Sequence, residues 1–457
     1  MEQTIAAIST AIGEAGIGIV RMSGPQAHSI GKTVFMNVKG KTLERIRHRY
    51  MEYGHIFDGD RLVDEVLMVF MEGPHTYTRE DMVEIYCHGG SVAVRKVLQL
   101  LLTKGAFLAE RGEFTKRAFL NGRLDLSQAE AVIDLIDAKT DKSYEASLNQ
   151  LYGGLKNVIK GLKDQILNML ARVEYSINFM EDQQDELPIE PVLEAGDAVL
   201  DKLKEMLNSS NRGRILREGI KTVIVGKPNV GKSSLLNALL KENRAIVTDI
   251  PGTTRDTIEE YIDLGGVSIK LIDTAGIRDT EDLVESIGVE KSISLINESD
   301  LVIGIFDMSR DFDEEDEKIA DLLNNRKSII LLNKQDLAMR IDKSRLIDRF
   351  EGKTIIDMSL ARQEGVLDLE NAIIDMFFDG QIQTNDDSLI TNIRHRNLIE
   401  KAVESLQSCL NDIRGGFPLD AVEIDLNNCY EYLSEITGEN IDEDVLNKIF
   451  NDFCVGK

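Results

Sequence analysis

The chain has 457 residues, 42% of them hydrophobic, and a formal net charge of −26, a length that predicts two to four domains with sizeable cores. No run of about 18 apolar residues marks a transmembrane helix, and the acid-bearing start MEQTIAAIST does not read as a secretory signal. Cys87, Cys409, Cys429 and Cys454 form no Cys-x-x-Cys pair, which argues against a zinc site and for reduced thiols in the cytoplasm.

If nucleic acid is a partner of so acidic a chain, it must meet a local basic patch or be held by a second protein. The candidates are Arg45–Arg49, Arg212–Arg217 and Arg394–Arg396, each more simply read as a solvated face or linker.

Residues 1 to about 120 mix strand and helix signals. EVLMVFM (Glu65–Met71) reads as a buried strand, and MVEIYCHGG (Met82–Gly90) as an alternating strand stopped by paired glycines. VAVRKVLQLLLTKG reads as a helix with a glycine stop, so this part is an α+β domain. From about 121 to 212 the pattern is helical, with Leu155, Ile159, Leu162, Ile166, Met169 and Val173 on one stripe. From about 213 to 382 the strands KTVIVG, VSIKLID, DLVIGIF, KSIILLN and KTIIDMS alternate with helices, the mark of a parallel sheet covered on both faces. From 383 to 457 the pattern is helical again, so the α/β unit reads as an insert between two helical segments.

The α/β unit carries the chemistry. GKPNVGKS (Gly226–Ser233) fits a phosphate loop, with an apolar strand before it and the helix SSLLNALL after it. Backbone N–H groups there attract phosphates, Lys232 reaches the β- and γ-phosphates, and Ser233 offers a hydroxyl to Mg²⁺. DTAG (Asp273, Thr274, Ala275, Gly276) ends a strand, where its Asp can hold a Mg²⁺-bound water and Gly276 can donate to the γ-phosphate. PGTTRD (Pro251–Asp256) sits where a switch loop belongs, and Thr254 can complete the Mg²⁺ shell. NKQD (Asn333, Lys334, Gln335, Asp336) selects guanine, because Asp336 can accept two hydrogen bonds that adenine cannot donate. In this order the motifs predict a GTPase domain. A glutamine that orients water in Ras-like enzymes is replaced by Ile277, so another group must position the water. A further cation must supply what an arginine finger supplies, worth about 10³ to 10⁵ in rate.

These motifs, with GIGIVRMSG, TREDMVEIYCHGG, GEFTKRAFLNGRLDLSQAEA and the terminal FCVGK, resemble the MnmE (TrmE) family of bacterial tRNA-modification GTPases over the whole chain. The resemblance implies a multidomain α/β and α protein. It has an α+β N-terminal folate-binding and dimerisation domain (1–120) and a discontinuous helical domain (121–212 and 383–457) around an inserted Ras-like P-loop G domain (213–382). It implies a cytoplasmic homodimer that forms a heterotetramer or larger assembly with the FAD-containing MnmG (GidA). Together they add an aminomethyl or carboxymethylaminomethyl group to C5 of the wobble uridine of certain tRNAs. The carbon comes from a tetrahydrofolate derivative (5,10-methylene or 5-formyl form), and FAD enters only through the partner.

By the same resemblance, GTP is held by Asn229, Val230, Gly231, Lys232, Ser233 and Ser234, by Thr248, Asp249, Ile250, Pro251, Gly252, Thr253 and Thr254, by Asp273–Gly276, and by Asn333, Lys334, Asp336, Ser359, Leu360 and Ala361. Mg²⁺ falls to Ser233 and Thr254. K⁺, the stand-in for an arginine finger, falls to Asn229, Thr248, Ile250 and Thr253. Glu285 matches the glutamate that orients water through a second water, and Arg21, Glu80, Arg123 and Lys457 match folate-contacting positions. Position 123 is Arg where lysine is often found, which changes donor geometry. The fifth G motif reads Ser359-Leu360-Ala361, not Ser-Ala-Arg, so Leu360 is expected to crowd the guanine while its N–H can still reach the base.

The ending FCVGK poses its own question. Gly456 and Lys457 do not suit a prenylation box. The remaining readings are a loose tail or a packed final helix that delivers Cys454 as nucleophile, acid or base. The functional alternative to a modification enzyme is a ribosome-assembly or signalling GTPase switch, and the lack of a KH-like loop or a second phosphate loop argues against the former.

Overall fold

The computed structural model describes residues 3–43, 45–179, 189–242, 260–271, 295–378, 380 and 387–457. Its contacts divide the chain into two compact units, residues 1–133 with 433–457, and residues 134–432.

The first unit begins with β1 (Ile5–Ile8), β2 (Ile17–Ser23), α1 (Ala27–Val34), β3 (Phe35–Asn37), β4 (Met51–Asp58), β5 (Arg61–Met71) and β6 (Met82–His88). Then come α2 (Ser91–Thr103), β7 (Phe107–Leu108), α3 (Glu113–Leu120) and α4 (Leu126–Asp137), which runs on into the second unit. The strands form one seven-stranded sheet in the order β3-β4-β5-β6-β2-β1-β7. Val20, Met22, Val66, Met68, Val83 and Ile85 pack in a core with α1 and α2. The stretch 65–71, read from sequence as a buried strand, is buried at Val66, Met68 and Phe70. An antiparallel sheet covered on one side leaves the alternate positions outward. Cross-strand rows on that outward face run Tyr53–Leu67–Tyr86–Ile19 and Met51–Val69–Glu84–Arg21.

The second unit continues through α5 (Asp141–Leu151), α6 (Gly154–Phe179), α7 (Glu190–Glu218), β8 (Ile220–Val225), α8 (Lys232–Glu242), β9 (Glu260–Leu264), β10 (Val267–Leu271) and β11 (Leu301–Asp307). Next are α9 (Glu314–Asn324), β12 (Ser328–Asn333), α10 (Lys343–Arg349), β13 (Thr354–Asp357), α11 (Val366–Phe378) and α12 (Ile393–Gly415). The final helices are α13 (Leu419–Thr437), which crosses into the first unit, and α14 (Glu443–Asn451), which belongs to it. The six-stranded sheet has the order β13-β12-β11-β8-β10-β9, parallel throughout except for the edge strand β9. All seven residues of β11 and all six of β12 are buried, as central parallel strands covered on both faces must be. The stripe Leu155–Val173 on α6 is buried at every predicted position. Gly213 of α7 makes room for another chain segment, since a Cβ there would lie 2.1 Å from the Ile390 carbonyl oxygen.

Candidate functional sites

The phosphate loop joins β8 to α8, and β8 lies between β10 and β11. Parallel strands bring loops from both sides of β8 to one edge of the sheet, where open α/β sheets bind ligands. Asn229 takes φ 62° and Gly231 φ 116°. A Cβ on Gly231 would sit 2.4 Å from Asn333 Nδ2, so only glycine fits. Lys232 Nζ donates to the carbonyls of Gly226 at 2.7 Å and Lys227 at 2.8 Å, which folds its stem across the loop. Burial, and secondarily repulsion from Arg310, lowers the Lys232 pKa.

The guanine loop is tied to the same place. Asn333, the last residue of β12, donates from Nδ2 to the Val230 carbonyl at 2.7 Å. Its Oδ1 accepts the Leu360 N–H at 3.2 Å. Asp336 accepts a hydrogen bond from Ser359 Oγ at 2.7 Å, which lowers its pKa and keeps it an acceptor for a base. The Leu360 side chain packs against the core of the six-stranded sheet. Lys334 adopts φ 65° and its Nζ donates to Asp307 at 2.7 Å. Thus Asn229–Ser234, Asn333–Asp336 and Ser359–Ala361 share one end of the sheet. The predicted switch positions Thr248, Asp249, Ile250, Pro251, Gly252, Thr253, Thr254, Asp273, Thr274, Ala275, Gly276 and Glu285 lie outside the described residues.

Sequence reasoning missed the segment after β11. Lys227, 6% exposed, donates to both Asp313 and Asp316 at 2.6 Å. Asp313 is the N-cap of α9 and forms a capping box with Asp316. Lys227 and the two N–H groups it caps hold the Asp313 carboxyl down to about 2. The visible signal is DMSRDFDEED after an apolar strand, but an acidic run usually means a solvated helix start.

The first unit gathers a second cluster. Arg21, on β2, is paired with Glu84 at 2.8 Å and lies 5.7 Å from the ring centres of Tyr77 and Phe114. Arg123 lies 4.6 Å over the same Tyr77 ring. Glu80 accepts from Ser23 Oγ at 2.7 Å and from Arg117 Nη1 at 3.0 Å. Arg117, 2% exposed, also donates to Glu113 at 2.7 Å and to the Gln3 carbonyl at 2.9 Å. Tyr77 and Arg117 went unnoticed in the sequence because only the tertiary packing brings them beneath Arg21, Arg123 and Glu80.

The chain end reaches the same unit. Phe450 and Phe453 are each 2% exposed and pack with their rings tilted by 41° and ring centres 5.0 Å apart. Gly112 N–H donates to the Cys454 carbonyl at 3.3 Å, and Val455 bridges Arg111 antiparallel. Gly456, at φ 90°, lies against Ile8, whose carbonyl oxygen would be 2.1 Å from a Cβ. Lys457 is partly buried, and burial followed by the charge of Arg21 lowers its pKa. The terminal segment is therefore a packed strap that leaves the Cys454 thiol exposed. Arg21, Arg123, Tyr77 and Lys457 together offer cations and an aromatic face, a donor set suited to a planar ligand bearing carboxylates.

Sequence profiles described as "GTP-binding protein TrmE N-terminus" and "MnmE helical domain" match residues 4–123 and 126–454. The chain belongs to the MnmE family. Relatives bearing the name "tRNA modification GTPase MnmE" match end to end. The Finegoldia magna protein is 62% identical over 457 residues and covers 100% of each chain. The Alkaliphilus metalliredigens protein is 51% identical over 459 residues, again 100% of each. The Bacillus subtilis protein is 47% identical over 457 residues, 99% of this chain and 100% of the relative. The MnmE family is one of GTPases that act in tRNA modification. Among the described residues no helix is long and apolar enough to cross a membrane.

Proposed function

We propose that this chain hydrolyses GTP in order to drive modification of C5 of the wobble uridine in certain tRNAs, taking the new carbon from a reduced folate and working with an FAD-containing MnmG partner in the cytoplasm. The observation that carries this reading is the presence in one chain of tied guanine and phosphate loops and, in the other unit, of an arginine–aromatic cluster onto which the chain's own end, Cys454 to Lys457, is strapped. A plain GTPase switch has no use for the second cluster.

In this reading residues 1–120 bind folate and dimerise, segments 121–212 and 383–457 form the helical domain, and 213–382 form the G domain. The outward sheet face supports dimerisation, since Ile17, Met51 and Tyr53 on it are 60%, 46% and 50% exposed. Arg21 and Arg123 bind the carboxylate-bearing part of the folate, Glu80 is held in place by Arg117 and Ser23 to accept from the pterin, and Lys457 closes the site. Cys454, exposed and held by a packed backbone, is placed to act as nucleophile, acid or base toward the uridine. Ser233 and Thr254 hold Mg²⁺, and Asn229, with Thr248, Ile250 and Thr253, holds K⁺. Asn229 holds a left-handed backbone inside the phosphate loop and carries an amide oxygen able to ligate a cation. Bound there, Mg²⁺ and K⁺ would supply positive charge beside the phosphates, and Glu285 would orient the attacking water. Lys232, Asp336 and the loop N–H groups orient GTP.

Nucleoside mass spectrometry of tRNA from cells lacking the chain tests the reading. Loss of the wobble-uridine modification, restored by wild type, is the expected result. Unchanged tRNA would sink it. Faster GTP hydrolysis in KCl than in NaCl, with the difference abolished by Asn229→Ala, is expected if Asn229 ligates K⁺; equal rates in the two salts contradict that assignment.

A further inference from the structure

The buried carboxylate of Asp307, at the end of β11, stands between the two loops that hold GTP. One oxygen, Oδ2, receives Lys334 Nζ at 2.7 Å and faces Arg310 Nε at 3.4 Å. The other, Oδ1, accepts from the N–H and hydroxyl of Ser309 at 2.9 and 2.7 Å. Arg310 in turn donates from Nη2 to the carbonyl of Pro228 in the phosphate loop at 3.0 Å. The Arg310 Nε contact is an ion pair without hydrogen-bond geometry, so Nε is buried with no hydrogen-bond partner. Six and nine residues after Asp307, Asp313 and Asp316 grip Lys227 of the same loop. The segment 307–316 thus clasps the outer flank of the phosphate loop at Lys227 and Pro228, and clasps the guanine loop at Lys334.

We propose that Asp307 and Arg310 are positioning residues that set the guanine loop and the phosphate loop at one mutual spacing, through the chain Lys334–Asp307–Arg310–Pro228. Three features carry the argument. Lys334 holds a left-handed backbone, which a non-glycine residue keeps only when its surroundings over-determine it, and the bond to Asp307 is such a restraint. Asp307 is 5% exposed on its side chain, so removing either cation leaves a buried charge half-compensated and affects the other. Although burial opposes it, Lys334 and Ser309 lower the Asp307 pKa, so the carboxylate is charged whenever GTP binds. Asn333 joins the same two loops from the inner side through Val230. The guanine loop and the phosphate loop are thus tied twice, once through Asn333 and once through Asp307 and Arg310.

The test measures the dissociation constant of a fluorescent GDP for the full chain carrying Arg310→Gln, Lys334→Gln and Asp307→Asn, singly and combined. Each single change is expected to weaken binding about tenfold, the worth of one charged hydrogen bond. If Asp307 is the shared anchor, Arg310→Gln costs less than about threefold once Asp307→Asn is present. Arg310→Gln is also expected to raise KM for GTP by more than it lowers kcat. Equal costs of Arg310→Gln in both backgrounds, or a loss of kcat at unchanged KM, would overturn the proposal. Should Asp307→Asn fail to fold, the cycle between Arg310→Gln and Lys334→Gln decides, because Arg310 is partly exposed and tolerates the change. Costs that multiply as independent factors then refute coupling, and a shortfall of about threefold or more supports it.

Discussion

Asn333 Nδ2 donates to the carbonyl of Val230 at 2.7 Å, a bond that ties the guanine-recognition loop to the phosphate loop across 103 residues of chain. The same side chain accepts the Leu360 N–H, so one amide orders three loops. Its partners follow from the fold. β11 and β12 are parallel neighbours, β8 lies beside β11, and all three end at the same edge.

Asn333→Ala removes both hydrogen bonds and leaves the Leu360 N–H and Val230 carbonyl to find other partners. GTP affinity is expected to fall by about 2 kcal/mol, roughly 30-fold. Isothermal titration with a non-hydrolysable GTP analogue checks it. Affinity within twofold of wild type would show that the loops keep their register without this amide.

Among the described residues Arg117 is the largest fully buried side chain, and it neutralises Glu80 and Glu113 together. Arg117→Gln leaves two carboxylates without their cation. The first unit is expected to lose about 3 kcal/mol, read by urea unfolding. Glu113→Gln, which keeps the Arg117–Glu80 pair, is expected to cost less. The reverse ranking would mean that Glu113 is the essential partner.

Gly456→Ala puts a Cβ 2.1 Å from the Ile8 carbonyl oxygen at a left-handed φ. The terminal strap is expected to detach while the sheet, held by its own core, stays folded. Carboxypeptidase digestion then removes the last residues much faster than from wild type. Unchanged digestion with unchanged melting would mean that the backbone shifts to accept alanine.

The thiols separate by burial. Cys454 is exposed, whereas burial pushes Cys87 up to about 11 and Cys409 and Cys429 up to about 12. A disulfide reagent at pH 8 is expected to titrate one thiol per native chain, and none in Cys454→Ser. Two or more rapid thiols in Cys454→Ser would contradict the packing of the interior.

The raised thiols also set a pH dependence. A group whose pKa is higher folded than unfolded adds stability below its unfolded value, and that stability is lost as pH climbs through the folded value. For Cys409 and Cys429 the window runs from the ordinary 9.0 to about 12. Melting of the second unit is therefore expected to fall as pH climbs above 9, and to fall less steeply in Cys409→Ala/Cys429→Ala. Parallel slopes for the two proteins would assign the alkaline loss to other groups.

The strand–loop–helix setting of the phosphate-loop and guanine-loop motifs is legible in the sequence because its parts are local. A phosphate loop must follow an apolar strand and open a helix, and Gly226–Ser233 does so within one short stretch; NKQD likewise ends a strand. The α6 stripe was legible because helical periodicity is a property of neighbouring residues. Tertiary structure alone decided what depends on distant residues meeting. That Glu65–Met71 is buried on one face follows from which side of the sheet the helices cover, and no local pattern states it. That Asp307 bridges Lys334 and Arg310, that Tyr77 lies under both Arg21 and Arg123, and that Val455 pairs with Arg111 depend on strand order and chain return. A hydrogen bond or a desolvated charge takes its energy from a partner within a few ångströms, wherever that partner lies in the chain. The sequence names the chemical groups, and only the fold brings them within that distance.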